Sequence, residues 1–159
     1  MAIATKQVKP GQYKDDINLA LQGRKPDGTV VADGLTREGY ILEGQIGRFL
    51  DNKGVLLRYQ EVINSHTRPN GKPVGIGEVD AETPRFLFEV TAKSTPKKVK
   101  QLTKRVNNTL INPNRKPVIF YAPNVTAPQQ VKVYTNIPGV KLIRSMEELT
   151  EFVNRNGGF

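Results

Sequence analysis

Asp80 and Glu89 lie nine positions apart in the chain, with Thr83-Pro84 between them. The proline breaks an extended run, so the strands on either side can pair and bring both acids to one sheet face. Two converging carboxylates resist ionising together. A hard divalent cation relieves that repulsion, and Mg²⁺ binds through one or two carboxylates completed by phosphate and water. Lys93 follows Glu89 by four residues, and the two-residue period of a strand keeps it on the Glu89 face. An ammonium there can hold an attacking water or stabilise charge developing on a phosphoryl group. The chemistry this set would perform is metal-assisted phosphodiester hydrolysis. The plain alternative is a surface ion pair worth less than about 1 kcal/mol.

Two further side chains suit the same centre. Glu43 has Gly39 and Gly47 four residues before and after it, which strips neighbours from its helix face and admits a sheet or a ligand. Gln101 falls on the helix after the Glu89 strand, where it can anchor a phosphate or a carboxylate. Glu61, Glu78 and Glu82 replace the chosen acids if the strand register slips by one step. His66, the single histidine, reads as an incidental loop residue beside Arg68. Gly75-Ile76-Gly77 lacks the context of a phosphate loop. Tyr121 and Tyr134 can stack bases, although core packing suits Tyr121 better.

The charge around these acids is lopsided. The chain of 159 residues carries 24 Lys+Arg against 15 Asp+Glu, a net charge of +9, and no acid falls between Glu89 and Glu147. Lys97, Lys98, Lys104, Arg105, Arg115 and Lys116 all lie in that gap and are expected to grip a nucleic-acid backbone. With 37% hydrophobic and 25% charged residues the composition is that of a folded domain. The absence of cysteine excludes disulfides and thiolate metal sites. No apolar run is long enough to span a bilayer, and the opening MAIATKQVKPG has no apolar middle of the kind a secretory leader needs. A non-catalytic basic module for nucleic acid or an acidic partner protein accounts for the charge equally well, but leaves Asp80 and Glu89 without a purpose.

The elements that must position these residues follow from periodicity. Residues 1–34 are polar and turn-rich and form a loosely packed lead-in with a short helix around 15–21; residues 35–159 form the domain proper. Leu42, Ile46, Phe49 and Leu50 make one apolar helix stripe over 35–51, with Thr36 as its cap. Strands are expected over 55–63, 74–80 and 85–93, the first two joined through Pro69-Asn70-Gly71. Along the third, Phe86, Phe88, Val90 and Ala92 face one way and Leu87, Glu89, Thr91 and Lys93 the other. Thr95-Pro96 opens a helix reaching about residue 111. A buried strand over 118–121, a short helix near 129–134, a strand over 140–144 and a helix opened by the capping box Ser145–Glu148 complete the chain. This order implies an α/β fold with a mixed central sheet flanked by helices.

The stretch Ile76-Gly77-Glu78-Val79-Asp80, followed by Phe86-Leu87-Phe88-Glu89-Val90-Thr91-Ala92-Lys93, resembles the core of the PD-(D/E)xK nuclease superfamily. Within it the chain is similar to the C-terminal toxin domains of contact-dependent growth inhibition and other polymorphic bacterial toxins. The resemblance covers residues 36–125 and implies an αβββαβ core. It gives Glu43, Asp80, Glu89, Lys93 and Gln101 the catalytic positions, with Asp80 and Glu89 holding Mg²⁺, Mn²⁺ or Zn²⁺. It implies an endonuclease acting on RNA or DNA, transfer RNA slightly favoured. It further implies export or cell-surface delivery as part of a larger protein, action in the target cell's cytoplasm, and neutralisation by an acidic immunity protein. The family's lysine usually stands two residues after the glutamate, where this chain has Thr91; Lys93 is one pleat on, about 7 Å farther along the strand.

Overall fold

A computed structural model describes residues 8–93 and 98–159. Within them the chain is α/β, with five helices and a five-stranded mixed sheet whose strands lie side by side in chain order. Helix α1 is Lys14–Leu21 and α2 is Gly34–Asn52; β1 (Arg58–Thr67), β2 (Pro73–Glu82) and β3 (Leu87–Val90) follow. Then come α3 (Lys98–Asn107), β4 (Val118–Tyr121), α4 (Pro128–Thr135), β5 (Val140–Ile143) and α5 (Met146–Arg155). The pairs β1–β2 and β2–β3 are antiparallel, whereas β3–β4 and β4–β5 are parallel and joined by helical crossovers.

Two apolar layers sandwich the sheet. On one side Ile17 of α1, Leu42, Ile46 and Leu50 of α2, and Leu149 and Val153 of α5 pack on Phe88, Val90, Ile119 and Tyr121. On the other, Leu102 of α3, Ile111 and Tyr134 of α4 pack on Val79, Leu87, Val118 and Phe120. The alternation read along residues 86–92 is realised: Phe86, Phe88, Val90 and Ala92 belong to the first layer and Leu87 to the second. Tyr121 and Tyr134 are therefore core residues, buried where no base can stack on them.

Several local expectations shift, each for an identifiable reason. The cap of α2 is Asp33 rather than Thr36; its carboxylate accepts from the Thr36 N–H at 2.9 Å and from the Thr36 hydroxyl at 2.7 Å. A charged acceptor at a helix N-terminus gains from both the hydrogen bond and the dipole. The β1–β2 hairpin runs well past Ile63 because a ladder satisfies polar Asn64–Thr67 as readily as apolar residues; only a tight turn with Gly71 at positive φ closes it. The lead-in is not loose from Lys14 on. Glycine at 44 lets α1 approach so closely that a Cβ there would stand 2.8 Å from the Leu21 backbone nitrogen, and Ile17 and Ala20 are buried as a result. Helix α3 stops at Asn107, where Asn108 turns its side-chain oxygen to the N–H groups of Leu110 and Ile111. Its expected start at Thr95-Pro96 lies outside the described residues.

Candidate active site

The antiparallel ladder between β2 and β3 has only two pairs, Ala81↔Phe88 and Glu82↔Leu87. Beyond them the strands separate, and Asp80 fills the gap by accepting the Val90 N–H through Oδ2 at 2.8 Å. The separation coincides with a break in alternation along β2: Val79 turns to the α3 side and Ala81 to the α2 side. Opposite this break stands Gln60, a non-glycine residue at φ 50 inside β1. Left-handed backbone costs a residue of this type of order 1 kcal/mol, and such outliers persist where the surroundings over-determine them. Here the Gln60 amide donates to Glu43 Oε2 at 3.0 Å, while its own oxygen is buried without a partner.

Glu43 arrives from α2, Glu78 and Asp80 from β2, and a carboxylate oxygen from each lies within 4.8 Å of the others. Burial and neighbouring negative charge act together on all three. Burial first, then the charge of Glu78 and Glu89, pushes Glu43 up to about 7. Burial, Glu89 and Glu43 hold Asp80 well above the usual carboxylate range, and burial and Glu89 raise Glu78. Three acids so placed must share protons or a cation. Their donors are all hard oxygens on rigid elements, which fits a divalent ion of the Mg²⁺ or Mn²⁺ type, so the cluster can hold a metal.

Glu89 lines the same cavity, of about 510 Å³, but its carboxylate is engaged by cations from α3. Lys98 Nζ donates to Oε1 at 3.1 Å. Arg105 Nε is 2.7 Å from Oε2, yet the N–H is aimed away from that oxygen, so the contact is ionic without being an aligned hydrogen bond. The cavity thus has an acidic wall on α2 and β2 and a basic wall on α3, completed by Gln101 and Lys104.

The residues nominated by sequence divide accordingly. Glu43, Asp80, Glu89 and Gln101 meet in this cavity, joined by Lys98 and Lys104. Lys93 is exposed and lines a second lobe of the groove together with Glu43 and Glu78. Arg105 is buried against Glu89, and Lys116 is buried against Glu82, so neither presents its charge to solvent. Arg115 and Lys116 precede Val118, which pairs with Leu87 at the end of β3 farthest from Glu89 and Val90. Lys97 lies outside the described residues. His66 is exposed near the tip of the hairpin, with the Ser65 hydroxyl 2.8 Å from its Nδ1.

Glu78 joins the site without any slip of register, and Gln60 joins it from β1. A glutamate two residues before Asp80 shares its strand face, which was a usable signal for the first. Nothing in the sequence marks Gln60, whose conformation is set by the divergence of the strands around it. The glycine-cleared face of α2 resolves into two uses: Gly47 admits the Tyr59 ring, which a Cβ would meet at 2.6 Å, whereas a Cβ at Gly39 meets nothing within 4 Å. No helix among the described residues is long and apolar enough to cross a membrane. Compared with known family models, curated proteins and solved structures, the chain matches none of them.

Proposed function

We propose that this protein is a metal-dependent nuclease of the PD-(D/E)xK kind. The observation that carries the reading is the convergence of Glu43, Glu78 and Asp80 in a groove whose facing wall bears Lys98 and Lys104. Acids alone would repel a phosphodiester, and cations alone would bind it without reason to bury carboxylates beside it. Glu43, Glu78 and Asp80 would hold the cation, which supplies positive charge beside the phosphoryl oxygens and makes bound water more acidic.

The chain's own groups do the rest. The Val90 N–H fixes the Asp80 carboxylate, and the Gln60 amide fixes that of Glu43. Glu89 holds the Lys98 ammonium at the cavity wall, where a fixed cation stabilises charge developing on the phosphoryl group. Gln101 and Lys104 stand where the flanking backbone would pass. Lys98 is thus a better placed catalytic cation than Lys93, because it shares a cavity with Asp80 and Glu89 and is tethered there. The toxin setting, with delivery into a target cell and an acidic immunity protein as partner, belongs to the same proposal; the net charge of +9 suits an acidic partner.

Incubating the protein with total cellular RNA and with DNA, in Mg²⁺ and in EDTA, tests the reading on a gel. Mg²⁺-dependent cleavage lost in Asp80→Asn is expected. Tight binding with no cleavage of either nucleic acid would replace the nuclease by a non-catalytic basic module.

A further inference from the structure

The second lobe of the groove, about 450 Å³, shares Glu43, Glu78, Val90, Lys98 and Gln101 with the first but has walls of a different character. Tyr40, one helical turn before Glu43 on α2, forms one of them, and Gly39 leaves the space beside it open. Leu35, 52% exposed, adds aliphatic surface that nothing in the fold covers. Lys93 stands at the exposed lip. Tyr40 is half-buried, so it is held by the fold yet still lines the groove. A volume of this size falls within the roughly 300–1,000 Å³ of small-ligand sites. A flat ring, an aliphatic neighbour and a cation at the edge match one nucleotide: a base with a π-face to stack and a phosphate to neutralise.

We infer that this lobe is a nucleobase subsite, in which one unpaired base stacks on Tyr40 while the adjoining phosphate faces Lys98 and the cation that the carboxylates would hold. The inference rests on the nuclease reading and deepens it, because a base inside a duplex has no free face for a side chain. The substrate is therefore single-stranded nucleic acid, or a nucleotide extruded from a loop or stack. Open space at Gly39 has the same meaning: the one glycine of α2 within the lobe is where a side chain would obstruct the base.

A short single-stranded oligonucleotide carrying 2-aminopurine, titrated with the full chain in Ca²⁺ and checked for intactness on a gel, reads stacking directly. Binding should quench the fluorescence. Tyr40→Ala should bind on the order of 10-fold more weakly and lose the quench, whereas Tyr40→Phe should keep both. Gly39→Phe, at a position where a Cβ meets nothing within 4 Å, should fill the lobe and weaken binding as Tyr40→Ala does; thermal melting of each variant verifies folding. The same label within a duplex should be bound more weakly and left unquenched. Wild-type affinity in both Tyr40→Ala and Gly39→Phe, or equal binding of duplex and single strand, overturns the subsite. Equal Mg²⁺-dependent cleavage of duplex and single strand without dependence on Tyr40 overturns it while leaving the nuclease standing. Tyr40-dependent quenching without any cleavage does the reverse.

Discussion

Strand β2 carries acids at alternate positions over its last five residues, and the fold treats them in opposite ways. At the C-terminal end, Glu82 is matched on every side. Arg58 donates to both of its oxygens, at 2.8 and 3.1 Å, and Lys116 stands 3.2 Å from Oε2 while donating to the Thr83 carbonyl at 2.9 Å. The remaining Arg58 reach is used on the Ile111 carbonyl at 3.1 Å. Two residues earlier, Asp80 has a single backbone donor and faces Glu43 and Glu78. Glu82 locks the loop after α3 to the sheet; Asp80, with Glu43 and Glu78, stores repulsion that a cation can relieve. A carboxylate with its counter-charges supplied by the protein is structural, and one whose counter-charge must come from outside is available for function.

The largest expected effect breaks the matched end. Glu82→Gln leaves buried Lys116 without a counter-charge and buried Arg58 with only the more exposed Glu61 at 3.8 Å, and should cost about 3–5 kcal/mol in urea denaturation. The fraction that remains folded should keep its kcat. Glu89→Ala belongs partly with this class, since it strands the buried Arg105 as well as releasing Lys98, and a stability loss should accompany its loss of activity. A Glu82→Gln protein as stable as wild type would remove the contrast between Glu82 and Asp80.

Asp80→Asn should do the opposite. Its amide oxygen can still accept the Val90 N–H, so the melting temperature in EDTA at pH 8 should hold or rise as one repelling charge disappears. Cleavage should fall by about 10²–10³-fold or more, the scale for losing one preorganised electrostatic group. Retained turnover in steady-state assays would sink the cluster as the reactive centre.

The pH dependence of stability sharpens the same point. Between the usual carboxylate range and about 7, the folded protein without metal keeps a proton on Glu43 that the unfolded chain has already lost. The native state then binds more protons than the unfolded one, so stability falls as pH rises through this window, with the raised Asp80 and Glu78 adding to the decline. A shift from 4.5 to about 7 corresponds to about 3 kcal/mol between pH 4.5 and pH 8. Denaturation in EDTA should reveal that decline, and Mg²⁺ should restore the loss at pH 8. A profile that is flat in EDTA would show that the acids are not strained together.

The smallest effect separates two lysines. Lys98→Ala should lower kcat by about 10²-fold with little change in KM, because its ammonium is fixed at the cavity wall by Glu89. Lys93→Ala should leave kcat unchanged and raise KM by an amount worth less than about 1 kcal/mol, as for an exposed cation meeting phosphate. A reversal of these two outcomes would return the catalytic role to the strand lysine.

Much of this frame was legible in the residues alone, because it depends on local period and chemistry. The strand alternation over 86–92, the stripe of α2 and the capping of α5 by Ser145 each follow from side chains within a few positions of one another. Glu43, Asp80, Glu89 and Gln101 could be singled out by residue type and local spacing, and the fold brings them into one cavity. What tertiary structure decided was which charges meet. Lys98, Arg105 and Lys116 are alike in sequence, all cations in one basic stretch, yet the first two meet Glu89 at the cavity wall while Lys116 is consumed inside the fold by Glu82. The separation of β2 from β3 at Asp80 and the left-handed turn of Gln60 are likewise set by three strands at once. Side-chain chemistry travels with the residue, but its counter-charges come from residues as many as 34 positions away, as with Lys116 and Glu82, and only the packed sheet brings them within reach.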